Sequence, residues 1–229
     1  LHKAIRRQRQ MCIRDRFMAA LMTSVLDNTS KVSEYIYTCR QMGIAILPPD
    51  INEGEGGFSV SGQAIRYGLS AIKSIGRPVI DAIVEERKIR GPFTTLKDFI
   101  TRLSGREVNK RTIENFIKAG AFDSFGGTRK QFMMIYVQVM DTVNQEKKSS
   151  MTGQMSLFDI MGEEDKKSFE IRLPDVGEYA KESKLAFEKE VLGVYISGHP
   201  LEEYADVWKK NITATTSDFQ PMEESEMPK

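Results

Sequence analysis

The sequence predicts a mainly α fold with a minor β component, in which helix–turn–helix hairpins recur in tandem. Three observations predict it. Apolar residues recur at broken 3.6-residue spacing, as at Leu21, Val25, Val32, Ile36 and Cys39. Cap residues bracket these stretches: Asn, Thr or Pro at their starts and Gly at their ends. Strand patterning is confined to short runs between Ile44 and Leu69.

Each element follows from local chemistry. Phe17 to Met42 reads as helix, and the N-cap chemistry of Asp27-Asn28-Thr29-Ser30 divides it into two. Gly43 fits the C-cap of the second. Ile44 to Leu47 is an apolar run stopped by Pro48-Pro49, which predicts one strand. Asp50 to Gly57, with three glycines and two glutamates, predicts a loop. Phe58-Ser59-Val60-Ser61 alternates as a strand does, and Ala64 to Leu69 can pair with it. Pro78 suits the first turn of a helix running to about Lys88, and Gly91-Pro92 breaks it. Thr94 or Thr95 caps a helix over Leu96–Leu103. Asn109 caps another that reaches Lys118 and ends at Gly120. Gly126-Gly127-Thr128 opens a long helix from about Arg129 to Gln145. Lys147 to Gly153 reads as polar and helix-poor. Tyr179 to Tyr195 reads as helix again, before Gly198-His199-Pro200. Thr216 to Lys229 is polar and rich in Met and Glu, with an expectation of poor order.

A chain of 229 residues with 40% hydrophobic and 28% charged residues fits a soluble globular protein of one or two domains. It has no run of about 18 apolar residues, so no transmembrane helix is expected. Leu1 to Arg16 has no apolar core and does not read as a secretory signal. Cys12 and Cys39 make neither a disulfide framework nor a metal spacing, which points to a reducing cytoplasm. The net charge of +1 conceals an asymmetry. Gly62 to Lys130 carries 14 Lys/Arg against 7 Asp/Glu, whereas Asp141 to Lys229 carries 11 against 19. A basic middle suggests a polyanionic partner, because neutralising phosphates releases counterions.

Two hairpins lie in that basic middle. Leu69, Ile72, Ile75, Gly76, Val79, Ile80, Ile83 and Val84 pattern as two short helices about a turn at Ser74-Ile75-Gly76. This is similar to a helix-hairpin-helix motif, whose usual turn is Gly-apolar-Gly. Such a turn opens a helix with consecutive free backbone N–H groups, which hold a phosphate without reading sequence. Lys73 and Arg77 flank it. Ser74 stands where the first Gly is usual, so the turn must reach its geometry without that Gly. The second hairpin is Phe116 to Asp123, bent at Gly120, with Lys118, Arg129 and Lys130 nearby. The expected DNA-backbone contacts are Lys73, Ser74, Ile75, Gly76, Arg77, Lys118, Gly120, Arg129 and Lys130.

The peptide Gln154-Met155-Ser156-Leu157-Phe158 lies between polar segments. It resembles the peptide by which bacterial replication proteins dock on the sliding clamp. Leu157 and Phe158 offer adjacent apolar anchors, and the Gln154 amide can donate and accept. At the other end, Arg7 to Arg16 resembles the conceptual translation of a transposase sequencing adapter. On that expectation residues 1–16 are foreign and the native chain enters near Phe17.

Ile46-Leu47-Pro48-Pro49-Asp50-Ile51-Asn52, Ile65 to Lys73, Gly120-Ala121-Phe122-Asp123 and Leu192 to Leu201 together resemble the alpha subunit of bacterial DNA polymerase III, in that family's order. The resemblance covers about Phe17 to Tyr204. It implies a fragment of a DNA-directed DNA polymerase, with 17–61 as the end of the fingers and 62–150 as a tandem helix-hairpin-helix region. It further implies 151–168 as an exposed segment bearing the clamp peptide, 169–210 as the helical end of the clamp-binding domain, and 211–229 as a polar tail before an oligonucleotide-binding barrel. The implied partners are duplex DNA, the sliding clamp and other replicase subunits. The parent's divalent metal, Mg, would be held by palm carboxylates upstream, so no catalytic or metal-binding residue is assigned in this chain. His199, in its Gly-His-Pro turn, reads as structural. Two alternatives are a non-catalytic repair or clamp-associated adaptor built on the same hairpins, and a helical interaction protein that never binds DNA.

Overall fold

The structure, a computed structural model, describes residues 2–105, 108–151, 172–204, 207 and 210–214. The peptide Gln154–Phe158 and the tail from Thr216 lie outside the described residues. The chain divides into two units, Leu1–Ser197 and Gly198–Lys229.

In the first unit, α1 (His2–Ser24) and α2 (Thr29–Gln41) precede a small sheet of β1 (Ala45–Leu47), β2 (Ser59–Ser61) and β3 (Ala64–Arg66). Then come α3 (Arg77–Arg90), α4 (Leu96–Leu103), α5 (Lys110–Ala119), α6 (Arg129–Met151) and α7 (Lys181–Val191). Helix starts follow their caps. Asn28 accepts the N–H of Lys31, Thr95 that of Asp98 and Asn109 that of Thr112. Thr128 and Gln131 cap α6 reciprocally, each side chain accepting the other's backbone N–H.

Sheet order is β1-β3-β2, with β2 and β3 antiparallel and β1 parallel to β3, pairing Ile46 with Ile65. The β2–β3 hairpin matches expectation, and Gly62, at φ +63, sits in its tight turn. Residues on both sides of the hairpin share one core, which includes Met22, Ile36, Ile65, Ile80, Phe99 and Phe122.

The centre of that core is aromatic. Phe99 of α4 meets Phe122 edge-on with ring centroids 5.0 Å apart, and Phe93 at 5.1 Å. Phe116 of α5 joins Phe122 at 5.8 Å, and Phe125 stacks on Phe122 at 5.3 Å. Each such pair adds roughly 0.5–1.5 kcal/mol beyond the area it buries. α4 and α5 both pack on α6, and α5 packs on α7.

Basic side chains fasten loops to this core. Arg87 donates to the carbonyls of Ile51 and Gly54. Arg102 donates to the carbonyls of Glu86 and Gly91 and lies 4.1 Å from the centroid of the Phe93 ring. Arg66 bonds the Pro48 carbonyl and Glu53. Asn52 pairs both ways with the backbone of Phe93.

Two helix ends depart from the sequence reading. α6 continues to Met151, past the polar stretch at Lys147. Tertiary contacts override weak propensity there: Lys97 pairs with Glu146, and Lys147 donates to the Ser104 carbonyl. α7 stops at Val191 rather than reaching Tyr195. The Glu188 carboxylate takes the N–H groups of Ile196 and Ser197 and folds the chain back.

In the second unit, a 3₁₀ turn at Glu202–Tyr204 follows His199, whose Nδ1 accepts the N–H of Leu201. Among the described residues no helix is long and apolar enough to cross a membrane.

One buried group is mismatched. Asp15, 2% exposed, packs near Cys39 in the segment that the sequence marks as foreign. Arg14 Nε lies 3.6 Å away, and both that atom and Asp15 Oδ1 are buried without a hydrogen-bond partner. Burial first, and the Asp15 charge second, push the Cys39 thiol above its ordinary range. Replacing Asp15 by Leu is expected to stabilise the chain by up to about 1 kcal/mol, because a buried carboxylate oxygen without a hydrogen-bond donor is removed at the loss of only a long ion pair to the partly exposed Arg14. Urea unfolding checks this, and a lowered midpoint would refute it.

Candidate nucleic-acid interface

The first hairpin is built from its backbone outward. Its incoming arm is a single 3₁₀ turn, Leu69–Ala71, and not the short α-helix expected. The cause is a captured amide: the Lys73 N–H bonds the Val191 carbonyl at the end of α7, at 2.9 Å. The Lys73 carbonyl accepts from Asn115 Nδ2 of α5 at 3.0 Å. Lys73 is thereby fixed from two sides. Leu69, Ile72, Val79, Ile80 and Ile83 are buried, so the hairpin's apolar face belongs to the core.

The turn faces solvent. Lys73, Ser74, Gly76 and Arg77 are exposed, while Ile75 is half-buried against the core. Ser74 has φ +62, the one positive φ of a non-glycine among the described residues. It takes the left-handed geometry that Gly usually supplies. α3 begins at Arg77 with Gly76 as its N-cap and Pro at its first turn, and no side chain caps it. Pro78 has no N–H and the Val79 N–H bonds the Gly76 carbonyl at 3.2 Å, so among the described residues the donors left open are the backbone N–H groups of the turn up to Arg77, at the positive end of the helix dipole. The turn therefore presents free backbone donors with a cation on each side.

The second hairpin is used internally. Arg129 is 3% exposed. Its guanidinium bonds Asp123 at 3.0 Å, Glu188 at 3.3 Å and the Lys118 carbonyl at 3.3 Å. Expected from the sequence as a DNA contact, it instead joins the start of α6 to α7. Gly120 has φ +79, and a Cβ there would lie 2.2 Å from Arg129, so its absence of a side chain makes room for the guanidinium. Lys118 is held by Glu114 at 3.0 Å and Glu190 at 2.9 Å. Burial alone would lower its pKa, but the bonds to Glu190 and Glu114 win and raise it.

The N-terminus of α6 is also filled. Glu178 accepts the N–H of Arg129 at 3.2 Å and of Lys130 at 3.3 Å. Burial alone would raise its pKa, yet the N–H groups of Tyr179, Arg129 and Lys130 hold it below the usual carboxylate range. A carboxylate of the chain occupies the place where a phosphate would sit. Lys130 is half-buried beside it.

The structure also gathers residues that the sequence reading passed over. A depression of about 530 Å³ beside the first turn is lined by Lys73, Ser74, Lys110, Arg111, Asn115 and Glu190, among others. Lys110 and Arg111 open α5 directly after its Asn109 cap, a legible basic pair whose approach to residue 74 depends on tertiary packing.

Residues 43–132 match the family described as "Helix-hairpin-helix motif". The chain is 40% identical over 195 residues to "DNA polymerase III subunit alpha" of Mycobacterium tuberculosis, covering 82% of this chain and 16% of the relative. The chain belongs to the bacterial DNA polymerase III alpha subunit family. The same subunit of Vibrio cholerae is 39% identical over 202 residues, covering 88% of this chain and 17% of the relative. That of Borreliella burgdorferi is 38% identical over 201 residues, with the same two shares. The chain thus spans about one sixth of the length of these alpha subunits.

Ser74 gives the interface a measurable strain. Ser74→Gly is expected to raise stability by up to about 1 kcal/mol, since Gly takes a positive φ without the Cβ penalty. Chemical denaturation reads this directly, and a clear loss of stability would show that Ser74 is unstrained.

Proposed function

We propose that the chain is the part of a DNA-directed DNA polymerase that grips duplex DNA by its backbone and tethers the enzyme to the sliding clamp. The observation that carries the grip is the exposed turn Lys73–Arg77, with open backbone donors of the turn between two cations, inside the helix-hairpin-helix match. Such a turn holds phosphate oxygens and is indifferent to base sequence. The first hairpin supplies this contact. The second supports it, because Arg129 and the donors of α6 are already engaged.

The clamp contact rests on Gln154-Met155-Ser156-Leu157-Phe158. Tethering by such a peptide raises the local concentration of enzyme at the primer end, so processivity needs no strong DNA affinity. The other replicase subunits are further partners of the parent, and the setting is the cytoplasm. Among the described residues no group of three His, Cys, Asp or Glu could hold a metal ion. The divalent metal of synthesis is assigned, with the palm carboxylates that would hold it, to portions of the parent that the chain does not span.

Two measurements test this reading. The full chain is expected to bind a labelled duplex with strong salt dependence and no base preference. Lys73→Glu/Arg77→Glu should weaken binding at least about tenfold and lower the salt slope by about two. Equal binding by the double variant would remove the first hairpin from the interface. For the tether, the chain should bind a bacterial sliding clamp, and Leu157→Ala/Phe158→Ala should abolish that binding while DNA affinity stays constant. A clamp affinity unaffected by the pair would place the contact elsewhere.

A further inference from the structure

We propose that the depression between the first hairpin and α5 is a second phosphate seat, with Arg111 its principal cation, taking the phosphate adjacent to the one held by the turn. This deepens the duplex-binding reading and rests on it.

Four observations carry it. Arg111 is exposed and reaches across 37 residues of sequence to the turn, its Nη2 lying 3.5 Å from Ser74 Oγ. That contact is long for a hydrogen bond and uses one of five guanidinium donors, leaving the others for a ligand. The depression is concave and built on fixed backbone. Lys73 is anchored by Asn115 and Val191, and both of those residues line it. The cations along it differ in availability. Lys118 is held by Glu114 and Glu190, and Lys110 shares its charge with Asp141 at 3.3 Å in an exposed pair, so among the described residues of the lining Arg111 and Lys73 are the cations without an ion pair.

The ligand class follows from the shape of the charge. Glu114 and Glu190 line the side of the depression at which Lys118 sits. They disfavour a small, highly charged anion lodged deep beside Lys118. A phosphodiester strand laid along the outer edge, past Arg111 and Lys73, avoids them. The strand thus runs from the donors of the turn before α3 onto the first turn of α5, crossing Ser74. Arg suits this role better than Lys, because its planar fork bonds two phosphate oxygens at once.

A purely structural role for Arg111 makes a different prediction. If Arg111 only held Ser74 in its left-handed conformation, Ser74→Gly would make it dispensable. The experiment is duplex binding by the full chain against salt concentration, for the unaltered chain, Arg111→Gln, Ser74→Gly and Ser74→Gly/Arg111→Gln. The expected result is a several-fold weaker affinity and a salt slope smaller by about one for Arg111→Gln, with the same loss in the Ser74→Gly background. Circular dichroism of each variant checks that the fold is kept. A slope unchanged by Arg111→Gln, or a loss that disappears in the Ser74→Gly background, overturns the proposal. Lys73→Glu/Arg77→Glu runs alongside. If that pair weakens binding and Arg111→Gln does not, the first hairpin stands and the second seat falls. If the unaltered chain binds no duplex, both readings fall together.

Discussion

The fold turns on one buried guanidinium. Arg129 is enclosed by Asp123 and Glu188, and Glu188 itself is 0% exposed. A buried ion pair adds little net stability against an apolar substitute, but removing one partner strands the other at a cost of about 3–5 kcal/mol. The arrangement is therefore a positional constraint more than a source of stability. It sets α7 against the junction of α5 and α6. Through α7 it sets Val191, whose carbonyl holds Lys73, and so it fixes the exposed turn. Glu188 carries a second duty, since its other oxygen takes the N–H groups of Ile196 and Ser197 and directs the chain out of α7.

Charge and function separate within the basic middle of the chain. Arg66, Arg87, Arg102 and Arg129 spend their donors on backbone carbonyls and internal carboxylates. Their count contributes to the apparent positive field without offering a contact. What remains on the outside near the turn is a small set: Lys73, Arg77 and Arg111, with Lys110 shared with Asp141. The two hairpins are alike in sequence pattern and opposite in use. One leaves the donors of its turn open, while the other receives a carboxylate from 49 residues further on.

What was legible in the sequence was local. Asn28, Thr95, Asn109 and Gly120 mark helix ends because capping depends on a few adjacent residues. The β2–β3 hairpin was legible for the same reason. The parallel pairing of β1 with β3 was not, because nothing local specifies it. The extension of α6 to Met151 was hidden because it rests on Lys97 and Ser104. Of the site, the turn and its flanking cations could be read directly. The burial of Arg129 could not, since an arginine near a glycine bend reads the same whether it faces water or a carboxylate. Arg111 was hidden by distance along the chain: its neighbour is Ser74, and only packing brings them together.

The bond from the Lys73 amide to the Val191 carbonyl has a kinetic consequence. A turn so exposed would ordinarily exchange its amide protons with solvent almost at once. The Lys73 proton is shielded by an element more than a hundred residues away in sequence, and it is released only when the end of α7 lifts. Hydrogen exchange at this one amide therefore reports the local opening of α7, while the amides beside it in the turn report only their own exposure.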